Sequence, residues 1–418
     1  MKKLLVAVLA FALFAPAFAV ENVKLTGDIQ TIGLGYNDRG TAIVGNNLRG
    51  TTNRVIIGFT ADLVEDVQAK LTFAHRNVFG IDPTPVAPAA PYTTGESLDD
   101  VWTNTYVAEA FVKVSNVFDA LEVKVGRQYY GDVNSAVMYF GPDYGYAVVN
   151  GYQSLDGATV RYNGENFALT AAYFTLNNIA PVVPAVYSTT GDNLNLGGLD
   201  LDVKINENIT ASAYIYQVQN EATDAVLVPA GLGVTHFGFW GVKPTIEYEH
   251  FKLGAEYTRN YSLGNDKGWQ VKADLALPLG TEDTMVTPRV TYLKSEKNFV
   301  GFGNYRPGLM LGTILVTNGT TPFAGPVNNI MDGALANWEI LNAGVCMKFA
   351  SLEKVGFGLD YYTGEMDGAF VGNSWEVKAV YNVNQYVNLN LTGAMLTNAG
   401  HSWKHSPTAV QLGMNVKF

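Results

Sequence analysis

The chain has 418 residues, a formal net charge of −11 and 16% charged residues, against the roughly 25% typical of globular domains. Its acidity argues against nucleic-acid binding. After residue 19, no run of apolar residues reaches the roughly 18 that a membrane-spanning helix requires.

The first residues have the three regions of a secretory signal peptide. Met1-Lys2-Lys3 is a basic start, Leu4–Phe14 is an apolar run, and Ala17-Phe18-Ala19 is a small-x-small cleavage site. The apolar run is shorter than the roughly 20 residues of a transmembrane helix. We therefore expect a signal peptide at residues 1–19 and one mature domain at residues 20–418.

The mature chain consists of short segments in which apolar and polar residues alternate, as in half-buried strands. Eighteen strands are predicted. Sixteen are the alternative, because Trp102–Val114 and Leu155–Tyr162 alternate weakly. The other strands, in chain order, are Leu25–Tyr36, Arg54–Leu63, Val67–Phe79, Leu121–Gln128, Phe167–Leu176, Leu194–Ile205, Ile209–Val218, Thr235–Tyr248, Phe251–Arg259, Gly268–Leu277, Thr284–Lys294, Trp338–Phe349, Val355–Thr363, Ser374–Asn382, Val387–Leu396 and Thr408–Phe418.

Short and long connections follow one another between the strands. Residues 64–66 and 163–166 are tight turns, whereas residues 80–101, 129–154 and 295–337 are long. Short periplasmic turns and long extracellular loops are typical of bacterial outer-membrane barrels. The predicted fold class is therefore all-β, a transmembrane antiparallel β-barrel.

The final strand supports this prediction. Val410–Phe418 alternates up to a terminal aromatic residue, and we predict that Met414, Val416 and Phe418 form a signal for the outer-membrane assembly machinery. A soluble β-sandwich also has alternating strands. That alternative explains neither the terminal Phe418 nor the order of short and long connections.

Charged residues recur at positions whose parity directs them into the barrel. An eighteen-stranded lumen is too wide for side chains alone to fill, so this pattern indicates a water-filled pore. Both signs of charge occur, which predicts no strong ion preference, and the alternative role for many of them is to brace the wall as ion pairs. The predicted pore-lining residues of consistent parity are Arg54, Lys70, Arg76, Glu109, Lys113, Glu122, Lys124, Arg161, Lys272, Arg289, Glu376 and Lys378.

Two long connections are candidates to narrow the pore. Residues 129–154 are rich in aromatic side chains, of which Tyr139, Phe140, Tyr144 and Tyr146 are the predicted constriction-loop residues. Residues 295–337 are interpreted as a plug, an outer lid or an additional hairpin.

A motif after the fifth strand suggests a family. Val125-Gly126-Arg127-Gln128-Tyr129-Tyr130-Gly131-Asp132 resembles the GRQ…YGD stretch of alginate-export-type outer-membrane porins. The resemblance implies a single-chain, eighteen-stranded barrel that carries anionic polysaccharide or other small solutes. Such a conduit should have a strongly basic lumen, whereas this chain is acidic. Arg127 has the outward parity of Val123 and Val125, so it lines the pore only if a bulge or strand end redirects it, and otherwise braces the adjoining loop.

Enzymatic readings have little support. His401 and His405 lie four residues apart, but Ser406-Pro407 and their loop setting argue against a helical zinc pair. We expect no catalytic residue, no cofactor and no metal, and we interpret Cys346 as a small packed residue.

The sequence thus predicts a Gram-negative outer-membrane porin for sugars, organic anions or other small hydrophilic solutes. A structural or adhesive barrel with a plugged lumen is the alternative. The expected partners are outer-membrane lipid and lipopolysaccharide, the assembly machinery and the solutes, without nucleic acid. A monomer is favoured over a trimer.

Overall fold

A computed structural model describes residues 21–37, 47–79, 105–133, 135–142, 154–175, 194–220, 236–261, 268–281, 284–296, 299, 301, 308–309, 337–366, 368–397, 406 and 408–418. The predicted signal peptide lies outside these residues, as do Tyr144, Tyr146, His401 and His405.

Eighteen antiparallel strands close into a barrel, as predicted. A two-residue stretch, Leu279–Gly280, continues the twelfth strand on the same neighbour, and a one-turn 3-10 helix, Ala350–Leu352, follows the fourteenth. The strands are β1 Glu21–Asn37, β2 Asn47–Val64, β3 Val67–Phe79, β4 Thr105–Val117, β5 Leu121–Gln128, β6 Leu155–Asn163, β7 Phe167–Thr175, β8 Leu194–Lys204, β9 Ile209–Asn220, β10 His236–Tyr248, β11 Phe251–Tyr261, β12 Trp269–Ala276, β13 Thr284–Ser295, β14 Trp338–Phe349, β15 Val355–Met366, β16 Ala369–Asn382, β17 Val387–Thr397 and β18 Thr408–Lys417.

The first and last strands pair with each other and close the barrel. Their register runs from Asp28 opposite Lys417 to Asn37 opposite Thr408. Beyond it, the amide of Gly27 donates to the carbonyl oxygen of Phe418 at 2.7 Å, and the amide of Phe418 donates to Gly27 at 3.0 Å. This closure excludes the two open-edged sheets of a β-sandwich.

The two ends of the barrel differ. Short turns join β2 to β3, β4 to β5 and β6 to β7, and five further strand pairs in the same way, at the end where Phe418 lies. We call this the turn end and the opposite end the loop end. At the loop end, β15 and β16 are also joined by a short turn, where Met366 is paired with Ala369. Among the described residues, no helix is long and apolar enough to span a bilayer.

Strand parity separates an apolar outer face from a polar inner one. Val377 and Leu412 are about 60% exposed and point outward, whereas Glu376 and Gln411 beside them are buried and point inward. An exposed apolar band around a closed barrel is the surface that a bilayer covers. The exposed apolar residues include Leu199, Leu201, Ile215, Trp240, Val242, Val290, Leu389, Leu391, Val410 and Met414.

The ring of Phe418 is half exposed, so it adds little to the fold itself. We expect Phe418→Ala, which keeps both backbone hydrogen bonds to Gly27, to change the free energy of unfolding of refolded protein by less than about 1 kcal/mol. Assembly into cell membranes should nevertheless fall several-fold, because the aromatic end of the predicted signal is lost. Heat-modifiable mobility of the barrel in cell envelopes measures this. Phe418→Tyr is the control and should assemble normally; equal assembly of all three proteins would contradict the signal.

Candidate functional site

Many of the predicted inward charges form ion pairs across neighbouring strands. On the wall of β3 to β5, Lys70 Nζ lies 2.6 Å from Glu109 Oε2, and Lys113 Nζ lies 3.6 Å from Glu122 Oε2. These side chains face the lumen and also join neighbouring strands, so the pore-lining and wall-bracing interpretations are compatible. Further pairs of the inner face, with their shortest N–O distances, are Arg54–Asp28 (2.7 Å), Arg161–Asp202 (3.5 Å) and Lys272–Asp274 (2.8 Å).

A denser network lies on β13, β15 and β16. Asp360 is fully buried and accepts hydrogen bonds from Arg289 Nη2 at 2.6 and 2.7 Å and from Lys378 Nζ at 2.9 Å. Lys378 also lies 3.3 Å from the buried carboxylate of Glu376. Two cations thus neutralise two carboxylates, while both cations remain partly exposed to the lumen.

Two predicted residues have other surroundings. Lys124 Nζ lies over the ring of Phe111, 5.0 Å from its centroid, and Lys70 Nζ lies 6.0 Å from that centroid. Each is within the range of a cation–π contact. The backbone of Arg76 is paired with Arg54, and its side chain lies outside the described part of the structure.

Arg127 braces two strands. Its Nε and Nη2 atoms each donate to one oxygen of Asp156 at 2.7 Å, and Nη1 donates to the carbonyl oxygen of Val107 at 3.3 Å. The register of β5 against β6 is continuous, so Arg127 keeps the outward parity of Val125. This geometry favours the bracing role over pore lining.

The chain that follows β5 forms a small ribbon. We call residues 130–133 and 135–142 the inner segment. Tyr130 pairs with Phe140 and Gly131 with Tyr139 in a two-stranded sheet of its own. The backbone carbonyl oxygen of Asp132 accepts from the amide of Ser135 at 2.9 Å, and the amide of Asp132 donates to the carbonyl oxygen of Met138 at 3.2 Å. These two hydrogen bonds close the turn.

The inner segment lies inside the barrel. Its partners are on the face opposite the exposed apolar band and belong to β8 through β12, the farthest being Gln270, which donates to Ala136 at 3.3 Å. The segment therefore leaves β5 and lies against the lumenal side of β8 through β12.

Glu256 on β11 holds the turn of the inner segment. Its Oε1 atom accepts from Ser135 Oγ at 2.8 Å and from the Tyr214 hydroxyl at 2.9 Å, and its Oε2 atom accepts from the Ala136 amide at 3.0 Å. Ser135 Oγ in turn accepts from the amides of Val137 and Met138, each at 3.0 Å. All three hydrogen-bonding capacities of this hydroxyl are used.

A second contact holds the start of the inner segment. The hydroxyls of Tyr130 and Tyr216 both donate to Asp200 and lie 2.9 Å from each other. Burial, reinforced by the Asp200 carboxylate, raises the pKa of Tyr130, so its hydroxyl stays protonated as a donor. Asp132 also forms an ion pair with Lys243 on β10.

Parts of the connection after β13 also lie on the inner side. Phe299 and Leu309 are almost fully buried, and the amide of Leu309 donates to Glu376. A Cβ placed on Gly301 would lie 3.1 Å from the carbonyl oxygen of Val137, so this connection contacts the inner segment. Both loops that the sequence indicated as constrictions therefore contribute residues to the lumen.

Exposure of the inner face changes along the barrel. Toward the loop end, Ile32, Ala74 and Leu396 are inward and at most 2% exposed. Toward the turn end, the inward side chains of Arg161 and Asp202 are 41% and 48% exposed. Inward side chains are consequently charged and solvent-exposed near the turn end, and covered near the loop end.

Sequence reasoning found some of these residues and missed others. Tyr139 and Phe140 do belong to the segment that folds inward, where Phe140 is fully buried. Ser135, Glu256 and Asp200 were not singled out, and of these only Glu256 and Asp200 carried a signal, a charge on the inward parity of a strand.

The glycine of the YGD motif permits the ribbon. Gly131 has φ +92°, and a Cβ there would lie 2.4 Å from the carbonyl oxygen of Met138. We expect Gly131→Ala to destabilise the ribbon by about 1–2 kcal/mol through the left-handed backbone alone, with a further cost from the contact. Chymotrypsin cleavage after Tyr139 and Phe140 in refolded barrels measures the release. Gly254→Ala, where the added methyl group meets open space, is the matched control; equal protection of both variants would contradict the requirement for glycine.

Solved structures share this barrel. OccK5 (OpdH) of Pseudomonas aeruginosa is similar at a TM-score of 0.57 and 14% identity, over 95% of this chain and 98% of that chain. A BenF-like porin of Pseudomonas fluorescens Pf-5 is similar at a TM-score of 0.58 and 10% identity, over 95% of this chain and 99% of that chain. OpdK of Pseudomonas aeruginosa with vanillate is similar at a TM-score of 0.57 and 14% identity, over 94% of this chain and 98% of that chain. No protein-family model and no curated protein matches the sequence. The fold is that of bacterial outer-membrane β-barrel porins.

Proposed function

We propose that the protein is an outer-membrane porin through which small hydrophilic solutes diffuse. The observation that carries this proposal is the charge-lined turn-end half of a closed eighteen-stranded barrel, narrowed by an inward-folded segment. Solvated ion pairs on an inner wall are a lining for water and polar solutes. In the proposed orientation the turn end faces the periplasm, which is usual for outer-membrane barrels.

The solute class rests on the lining. Cations and carboxylates alternate along the described wall, which favours small polar solutes such as sugars or organic anions over one strongly charged polymer. Membership of the alginate-export-type family is proposed from the GRQ…YGD motif, whose residues form the base and first turn of the inner segment. One porin of the same fold is known with vanillate, so aromatic carboxylates belong among the solutes to be tested.

A structural barrel with an occluded lumen is the second candidate. Its support is the burial of inward residues at the loop end and the contact between the two inward-folded connections. Such a protein would fold and assemble like a porin but conduct no ions.

Single-channel recording separates the two candidates. Residues 20–418 would be refolded, shown to be barrels by heat-modifiable mobility, and added to a planar bilayer with sugars, uronates or aromatic carboxylates as blockers. The porin predicts discrete current steps and a concentration-dependent block by one solute class. Absence of steps from folded barrels would refute the porin and support the occluded barrel.

The remaining expectations are part of this proposal. A cleaved signal peptide, lipopolysaccharide contact with the outer band and recognition of Phe418 by the assembly machinery fit a protein of this membrane. A monomer is favoured over a trimer; chemical cross-linking in cell envelopes tests this, and a cross-linked trimer would contradict it.

A further inference from the structure

We infer that Glu256 is a positioning residue that latches the inner segment inside the lumen and thereby sets the width of the pore. The inference rests on the proposed channel function and adds the device by which the constriction is held. Glu256 is 4% exposed and belongs to β11, so the latch joins the barrel wall to a segment that lies inside the lumen.

The geometry of the latch requires a carboxylate. Three donors converge on Glu256: the Ser135 hydroxyl, the Ala136 amide and the Tyr214 hydroxyl, all at 2.8–3.0 Å. Two carboxylate oxygens can accept all three, because each has two lone pairs. A glutamine has one carbonyl oxygen and directs an amide N–H at the remaining donors, so at least one contact is lost.

The latch also organises the turn that it holds. Ser135 Oγ donates to Glu256 and accepts from the amides of Val137 and Met138, which fixes the turn in the conformation that presents Ala136 to Glu256. Tyr214, the third donor, is held at 2.5 Å by Thr258 on β11. Removing either Ser135 or Glu256 should therefore release the same unit.

The base of the inner segment has its own anchors, which limits the predicted effect. Tyr130 remains bound to Asp200 and Asp132 to Lys243 when the latch is broken. The segment is then tethered near β8 and β10, and its far end depends on the 3.3 Å hydrogen bond from Gln270 to Ala136. We expect it to move within the lumen, so that the current fluctuates between levels instead of holding one level.

Single-channel recording of four variants beside the wild type tests the latch. Glu256→Gln and Ser135→Ala should each raise the rate of transitions between current levels at least several-fold. The double variant should add little to either, since both substitutions break one unit. Glu339→Gln is the matched control, because Glu339 pairs with Lys294 on the outer face of the barrel, and its current should match wild type.

Restoring the link provides the converse test. Ser135→Cys combined with Glu256→Cys, in a Cys346→Ser background, lacks the latch and should fluctuate. Joining the two thiols with a short, cleavable bis-maleimide should restore the steady wild-type current, and cleaving the reagent should abolish it again. A linked protein that still fluctuates would refute the positioning role.

Chymotrypsin protection makes the test independent of conduction. Cleavage after Tyr139 or Phe140 should be faster in Glu256→Gln than in wild type or Glu339→Gln. If wild-type barrels conduct nothing but this difference appears, the channel function fails and the latch stands. Equal protection in all three proteins, or equal rates of transition between current levels in barrels that conduct, would overturn the latch.

Discussion

Replacing Asp360 by asparagine is expected to destabilise the barrel by about 3 kcal/mol and to make the pore more selective for anions. The substitution leaves two cations facing a neutral group in a fully buried position. Breaking a buried ion pair typically costs about 3–5 kcal/mol. The lower figure applies because Arg289 and Lys378 are partly exposed and can gain water, and because Glu376 remains beside Lys378.

Urea unfolding of the protein refolded in vesicles measures the free energy, and reversal potential across a salt gradient measures the selectivity. Lys294→Met supplies a contrasting variant, since Lys294 and Glu339 are each 43% exposed on the outer face. Its cost should stay below about 1 kcal/mol, as for other exposed pairs. A similar cost for both variants would show that the Asp360 network contributes no more than a surface pair.

Replacing residues 132–141 by a short Gly-Ser linker is expected to raise single-channel conductance several-fold and to weaken block by any solute. This change removes most of the inner segment from the lumen and keeps Tyr130 and the barrel wall. The change also removes three buried apolar side chains, those of Phe140, Val137 and Met138. Each contributes about 1.5–3 kcal/mol when buried, so the free energy of unfolding should fall by several kcal/mol.

Conductance and block are measured with the same bilayer and solutes as for the wild type. A matched variant replaces the turn at residues 206–208 by Gly and Ser, which alters the turn end without touching the lumen. Its conductance should equal that of the wild type. Unchanged conductance after removal of residues 132–141 would show that the inner segment does not limit the pore.

The strands were predictable because successive side chains of a barrel strand face lipid and water in turn, which makes apolar and polar residues alternate in the sequence. Even the weakly alternating segments before Val114 and after Leu155 are strands. Among the described residues, the predicted strands differ from the observed ones at their ends; β2, for example, begins at Asn47 rather than at Arg54. Beyond the apolar band both faces of a strand are polar, so the alternation that marks the strand disappears.

The contacts inside the lumen were less predictable. An aromatic, glycine-containing loop indicated a constriction, but no local pattern connects Ser135 with Glu256, 121 residues later. Such a pairing depends on where the barrel brings β11. Arg127 is the opposite case, in which a local pattern was informative. Its outward parity in the strand already suggested a bracing role, and its two hydrogen bonds to Asp156 favour that role.

The backbone hydrogen bonds between Gly27 and Phe418 join residues that lie far apart in the chain, and the barrel closes through them. Bringing these residues together across roughly 390 positions costs about 5 kcal/mol of loop-closure entropy if the intervening chain is unstructured, and far less once the hairpins between them have formed. Closure should therefore be the final and slowest event of assembly. Until then the unfinished sheet has two edges, at β1 and β18, whose unpaired backbone groups can pair with strands of another chain.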